Sequence, residues 1–185
     1  ITGTGDRAFC AGMDLQAFAS DDGAGLGAGA MDDYNRLLRG EIAVPVIGAA
    51  NASAVGGGLE LLLGCDVIVA SNEARFGFPE VKRGFFAAGG GTNIGTRIPL
   101  GIALELTLTG ELIDATRAYE IGLLNAVVAP DEVMTTALAF AERIAECAPL
   151  GLAASKELVR LGVSDAARAA ARLEEWPAVV FQSED

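Results

Sequence analysis

Apolar residues fall along this chain in short blocks separated by glycine-rich or polar turns, and the blocks alternate between strand-like and helix-like spacing. Ile1-Thr2-Gly3 reads as the end of a strand, and residues 4–12 as a loop leading to a short helix around 15–18. Residues 23–29, glycine and alanine with one leucine, have little side-chain surface to bury and are expected to form a mobile loop. Asp32 or Asp33 is placed to cap a helix ending at Leu38, and Val44-Pro45-Val46-Ile47-Gly48-Ala49 then reads as a buried strand. A helix over 58–65 carries Leu59, Leu61, Leu62 and Leu63 and is followed by a second buried strand, Val67-Ile68-Val69-Ala70. Strand, helix, strand predicts a right-handed crossover in a largely parallel sheet, with ligand chemistry gathered near the strands' carboxyl ends.

Beyond a small-residue loop at 84–91, the spacing predicts a helix over 102–109 and a second over 115–121, capped by Asp114 and ended by Gly122. Residues 124–128 return as a strand. Asp131 is expected to start a helix that runs to Cys147 and ends before Pro149, and 150–161 and 164–181 keep helical spacing with alanine-rich faces. Residues from about 130 to 185 therefore form a helical C-terminal region, and no linker or repeat marks a second domain.

Composition narrows the function. The 185 residues are 51% hydrophobic and 21% charged, a globular composition sufficient for one domain with a substantial core. The uncharged run 42–59 is broken by Pro45, Asn51, Ser53 and three consecutive glycines, so no membrane span is expected. Twenty-five acidic residues against thirteen basic ones leave −12, which argues against a nucleic-acid partner. Cys10, Cys65 and Cys147 form no CxxC pair, so they read as small buried hydrophobes in a reducing, cytoplasmic setting rather than as disulfides or a zinc site. Histidine is absent, which removes Ser-His and Cys-His catalysis and histidine metal sites and leaves acid-base work to carboxylates.

Two motifs compete for attention. Gly3-Thr4-Gly5-Asp6-Arg7-Ala8 matches the G-x-G-x-x-A dinucleotide fingerprint, but Phe9-Cys10-Ala11-Gly12 puts another glycine where the required helix should propagate. Val55-Gly56-Gly57-Gly58-Leu59-Glu60 is more informative. Its glycines let backbone N–H groups approach a ligand at a helix start, where such groups lack intrahelical partners and can hold a developing oxyanion. Glu60 sits in that helix's first turn, and a second carboxylate, Glu80, follows twenty positions later. Taken singly, each acid is explained by a helix start, worth about 0.3–1 kcal/mol against the macrodipole, and Pro79 is itself a favoured first helical residue. Taken together beside the glycine loops, they make a proton-transfer pair.

At these residues the chain resembles the enoyl-CoA hydratase/isomerase, or crotonase, superfamily. Ala8-Phe9-Cys10-Ala11-Gly12-Met13-Asp14-Leu15 is similar to its first oxyanion segment, and Pro45-Val46-Ile47 through Glu60 to its second. The match continues through Cys65-Asp66-Val67-Ile68-Val69-Ala70, Phe76-Gly77-Phe78-Pro79-Glu80, Gly89-Gly90-Gly91-Thr92, Leu108-Thr109-Gly110 and Ala118-Tyr119-Glu120-Ile121-Gly122-Leu123. The resemblance covers nearly the whole chain and implies one domain over 1–185, a spiral of ββα units with C-terminal helices. The family's usual first strands and last helical turns lie outside it.

The resemblance also implies roles. Backbone N–H groups of Met13 and Gly57 would hold the thioester oxygen of an acyl-CoA, with Ala11, Asp14, Gly56 and Ala88 lining the substrate. Glu60 would orient and deprotonate the water attacking the β-carbon, and Glu80 would hold that water and supply the α-proton, turning a 2-enoyl into a 3-hydroxyacyl thioester. No metal or separate cofactor is expected, since coenzyme A belongs to the substrate, and the family's habit implies a homotrimer or homohexamer. Double-bond isomerisation, which often needs only the later carboxylate, another acyl-CoA lyase activity, and noncatalytic acyl-CoA binding stay as alternatives. Departures include Ala87-Ala88 where many hydratases have Pro-Gly, Gln16 where relatives present a base to CoA, which leaves Arg7 as the phosphate candidate, and Asn93 for a frequent glutamine.

Overall fold

The computed structural model describes residues 1–12 and 28–183. The predicted loop at 23–29 and helix at 15–18 fall mostly or wholly outside them. Helix α1 spans Ala28–Leu38, so Asp32 and Asp33 lie within it rather than at its cap; Asp33 instead pairs with Arg36 at 3.3 Å. The crossover unit follows as strand β1 (Ile47–Ala50), strand β2 (Ala54–Val55), helix α2 (Gly57–Gly64) and strand β3 (Val67–Ser71). After it come β4 (Arg75–Gly77), 3₁₀ turns at Pro79–Arg83 and Gly91–Thr96, α3 (Leu100–Thr109), β5 (Ile113–Asp114), α4 (Ala115–Glu120) and β6 (Ala126–Val128). A 3₁₀ turn at Pro130–Glu132 leads to α5 (Val133–Ala145), α6 (Pro149–Ser164) and α7 (Ala166–Val180).

Among the described residues the strands form two sheets. One is parallel, in the order β1-β3-β6, with Ala49 opposite Val69 and Ala70 opposite Val127. The predicted N-terminal strand is reduced to a single parallel bridge, Thr2 to Ala49, which extends this sheet past β1. The other sheet, in the order β2-β4-β5, is built from strands of two or three residues that hydrophobic periodicity does not reveal. Val44 drops out of the first strand because Pro45 has no N–H to give, and pairing begins beyond it. Asn125 joins β3 through its side chain, accepting from Ile68 N–H at 2.8 Å, while its own N–H donates to the Ile68 carbonyl.

The core lies between the sheets and the surrounding helices. Leu59 and Leu62 of α2, Ile68 of β3, Phe76 and Phe78 are buried together with Ile94 and Leu123. Burying side chains of this size stabilises by about 1.5–3 kcal/mol each. Cys65 joins that core, and burial pushes its thiol up to about 11; Cys10 is only half-buried and Cys147 is exposed, so the uniform reading of the cysteines as buried holds for one of three.

The C-terminal helices are fastened by charge. Asp66, at the entrance to β3, accepts from Lys156 Nζ at 2.6 Å, from Arg160 Nε and Nη2 at 3.0 and 2.8 Å, and from Val46 N–H at 2.7 Å. Glu157 of α6 in turn accepts from Arg172 and Trp176 of α7. Asp165 caps α7 through the Arg168 N–H at 3.0 Å, so that helix begins two residues after the expected 164, and α5 begins after Asp131 because Pro130–Glu132 forms a 3₁₀ turn. Val159, Val163, Leu173 and Phe181 remain exposed on α6, α7 and the turn after them. Among the described residues no helix is long and apolar enough to cross a membrane.

Candidate active site

The site is built where β2 ends and α2 begins. Gly56 turns the chain with φ 57° and ψ −128°, a backbone state that side-chain-bearing residues avoid, and donates its N–H to the Gly77 carbonyl at 3.0 Å. A Cβ at this position would stand 2.7 Å from Glu80 Oε1. Glycine is thus required twice over, by the turn and by the carboxylate beside it. Gly57 is the first residue of α2, where an N–H has no acceptor within the helix and feels the positive end of the macrodipole.

The first segment is stitched onto this turn. Cys10 bridges Ala54 in parallel register, with Phe9 N–H donating to the Ser53 carbonyl at 3.0 Å and Val55 N–H to the Cys10 carbonyl at 3.1 Å. Gly58 accepts the closest approach, since a Cβ there would collide with the Cys10 backbone. Gly12, with φ 90°, follows within van der Waals reach of Gly57 N: a Cβ on it would lie 3.2 Å away. Ala11 is exposed beside it. Met13 and Asp14 lie outside the described residues.

Glu60, only 6% exposed, points from the first turn of α2 into a loop that follows Glu80 in sequence. Its Oε1 accepts two backbone N–H groups, from Gly89 and Gly91, each at 2.9 Å. Two donors on one oxygen fix the carboxylate and leave the other oxygen for chemistry. Glu80 enters from the 3₁₀ turn after Pro79, the short helix start anticipated for it. Its Oε2 is buried without a hydrogen-bond partner among the described residues. Burial, and to a smaller degree the charge of Glu60, raises its carboxyl pKa, opposed by a hydrogen bond from its own backbone. Glu80 thus feels the charge of Glu60 across one site.

Of the residues singled out from the sequence, Gly56, Gly57, Glu60 and Glu80 converge, and Ala88 lies exposed one residue before Gly89 on the loop that holds Glu60. Arg7 is exposed in the first segment. The role of Gly89 and Gly91 as donors to Glu60 was not read from the motif; the run of three glycines at 89–91 was its signal. Among the described residues no three His, Cys, Asp or Glu side chains gather in a metal-holding cluster.

Comparison with known proteins agrees with this geometry. The profile of the enoyl-CoA hydratase/isomerase family matches residues 1–184. A carnitinyl-CoA dehydratase from Proteus mirabilis is 40% identical over 163 residues, 86% of this chain and 62% of that protein. A short-chain-enoyl-CoA hydratase from Clostridium acetobutylicum is 38% identical over 167 residues, 88% of this chain and 63% of its own. This chain thus spans a little under two thirds of the length of these curated relatives. Among solved structures, an enoyl-CoA hydratase from Mycobacterium tuberculosis superposes with a TM-score of 0.88 at 38% identity, over 100% of this chain and 72% of that one. With the glycine turn, the stitched first segment and the matched profile in agreement, the chain belongs to the enoyl-CoA hydratase/isomerase family and has the crotonase-like α/β fold.

Proposed function

We propose that the protein hydrates a 2-enoyl-CoA to a 3-hydroxyacyl-CoA. The observation that carries this reading is the buried Oε2 of Glu80, unpartnered among the described residues, in the same site as a Glu60 carboxylate held by two N–H groups. An unsatisfied buried acceptor costs about 1–3 kcal/mol, and a water or substrate hydroxyl bound there supplies its donor. Glu60 deprotonates that water as its oxygen bonds to the β-carbon, electrons pass through the α-carbon to the thioester oxygen, and Glu80 delivers a proton to the α-carbon. The transient enolate oxygen rests on the N–H groups of Gly57 and Met13, where losing one donor typically costs about 10²–10³ in rate. The same steps in reverse dehydrate a 3-hydroxyacyl thioester, and the relatives' names include both directions.

Presence of Glu60 beside Glu80 favours hydration over isomerisation. The purified protein is expected to convert crotonyl-CoA or a longer enoyl-CoA to the 3-hydroxy product, followed by loss of enoyl-thioester absorbance and by product mass. Glu60→Gln and Glu80→Gln are each expected to slow it by about 10²–10⁴. Acyl-CoA binding without turnover across the panel overturns hydration, and a shifted double bond without added oxygen indicates isomerisation. The exposed apolar residues of α6 and α7 support self-association as a trimer or pair of trimers, which light scattering measures.

A further inference from the structure

Positive charge gathers at the end of α2 opposite Gly57. Arg97, just past the 3₁₀ turn Gly91–Thr96, donates from Nη1 to the Cys65 carbonyl at 2.8 Å and from Nη2 to the Asp66 carbonyl at 3.2 Å. Arg160 of α6 donates from Nη2 to the Gly64 carbonyl at 3.0 Å, and both it and Lys156 bond the Asp66 carboxylate. Three cationic heads therefore meet around one acid. With Arg39, beside the end of α1, they line a cavity of about 570 Å³ walled on one side by α6. Four of the chain's thirteen basic residues line it against one of its twenty-five acids, Asp66, so the charge balance of a −12 chain is locally inverted.

Local structure uses only part of that charge. The Asp66 carboxylate and the carbonyl end of α2, worth about half a negative charge, leave the three heads in surplus. Arg39 adds to it, since its pairing with Glu41 is 3.8 Å long, beyond hydrogen-bond reach. Arg160 keeps its Nη1 without an acceptor among the described residues, against Gly40, where a Cβ would collide with it. Burial, and then the charge of Arg160, lower the Arg97 pKa, so the two guanidinium groups repel and an anion near them would relieve both. The side chains of Leu63, Leu152 and Val159 give the same cavity an apolar wall. Neither Glu60 nor Glu80 lines it.

We infer that this cavity is a second binding site, for a small phosphate monoester with an apolar body. A phosphate monoester carries about two negative charges on three acceptor oxygens, which suits donors that converge from separate elements, and guanidinium groups pair with it bidentately. The apolar wall holds the organic part, and burial of that part separates the ligand from free phosphate. The site stands at the other end of α2 from the acyl-CoA reading and does not depend on it.

Phenyl phosphate, inorganic phosphate and phenol are titrated calorimetrically into the protein at about 0.1 M salt, which screens exposed charges beyond about 10 Å. The wild type is expected to bind phenyl phosphate about tenfold or more tighter than inorganic phosphate, and phenol not measurably. Arg39→Gln and Val159→Glu change exposed positions of the cavity wall and leave the core intact. The first is expected to weaken phenyl phosphate about tenfold, the loss of one charged contact, and the second to abolish its binding by setting a carboxylate in the wall. Arg97→Met should weaken it further; where that variant unfolds, the two exposed variants decide. Affinity unchanged in both places the ligand elsewhere, the Gly57 end included, and overturns the site. Equal affinity for the two phosphates overturns the organic ligand, and no binding of phenyl phosphate overturns the inference as a whole.

Discussion

Replacing Gly89 by alanine separates the chemistry of Glu60 from the stability of the fold. Gly89 has an ordinary backbone conformation, so the added methyl carries no dihedral strain; what it meets is the Glu60 carboxylate, with Oε2 inside contact distance and Cδ at 3.1 Å. The carboxylate must withdraw by about an ångström, and a misplacement of that size costs about 10²-fold in rate. Its bonds from the Gly89 and Gly91 N–H groups, each at 2.9 Å, lengthen with it. A hydrogen bond to a charged group is worth about 1.5–3 kcal/mol, and partial loss of two puts the expected destabilisation at about 1–3 kcal/mol. Gly122→Ala is the control: φ is +83° and the space around it is open, so it bears a backbone cost of about 1 kcal/mol far from the carboxylates. The assay pairs crotonyl-CoA hydration with denaturant unfolding of both variants. Gly89→Ala should lose activity far beyond its stability loss, while Gly122→Ala keeps its activity. A folded Gly89→Ala enzyme working within twofold of wild type would refute the placement of Glu60 as the base.

Glu80→Gln should change stability with pH. Burial and Glu60 raise the Glu80 pKa on folding, so its stabilising contribution is present below the unfolded carboxyl pKa and is lost as pH rises through the folded one. Unfolding measured from pH 4 to 8 should therefore show the variant gaining on wild type towards neutral pH; a parallel pair of curves would contradict this. Gly58→Ala forces the Cys10 segment off β2 and is expected to cost about 1–3 kcal/mol, with amide exchange accelerated at Val55 and Phe9 and turnover lost. Asp66→Asn leaves Lys156 and Arg160 without their shared anion and should destabilise by about 3 kcal/mol, seen in the denaturation midpoint.

The unit from β1 to β3 was legible because its apolar runs are continuous and its helix is announced by glycines. Asp114 was legible too, as its Oδ1 accepts the Arg117 N–H at 2.8 Å where a cap should. Asp32 and Asp33 misled because α1 begins upstream, at Ala28, in a small-residue stretch whose composition argues for a loop. Strands β2, β4 and β5 are shorter than one full alternation of side chains, so periodicity has nothing to measure. Glu60 and Glu80 were found by motif, but their company was not. That Gly89 and Gly91 point N–H groups at Glu60 is a product of tertiary packing between segments some thirty residues apart.

The two bonds from Gly89 and Gly91 make Glu60 a fastener as well as an acid. A descendant of this chain that lost the carboxylate would also release the loop at 89–91, and would have to find another acceptor for its two N–H groups before it could keep the fold. Drift in activity is thereby coupled to loop shape: glutamine, which retains an oxygen in the same place, is the gentle route out, and alanine opens the pocket at the moment it disarms it.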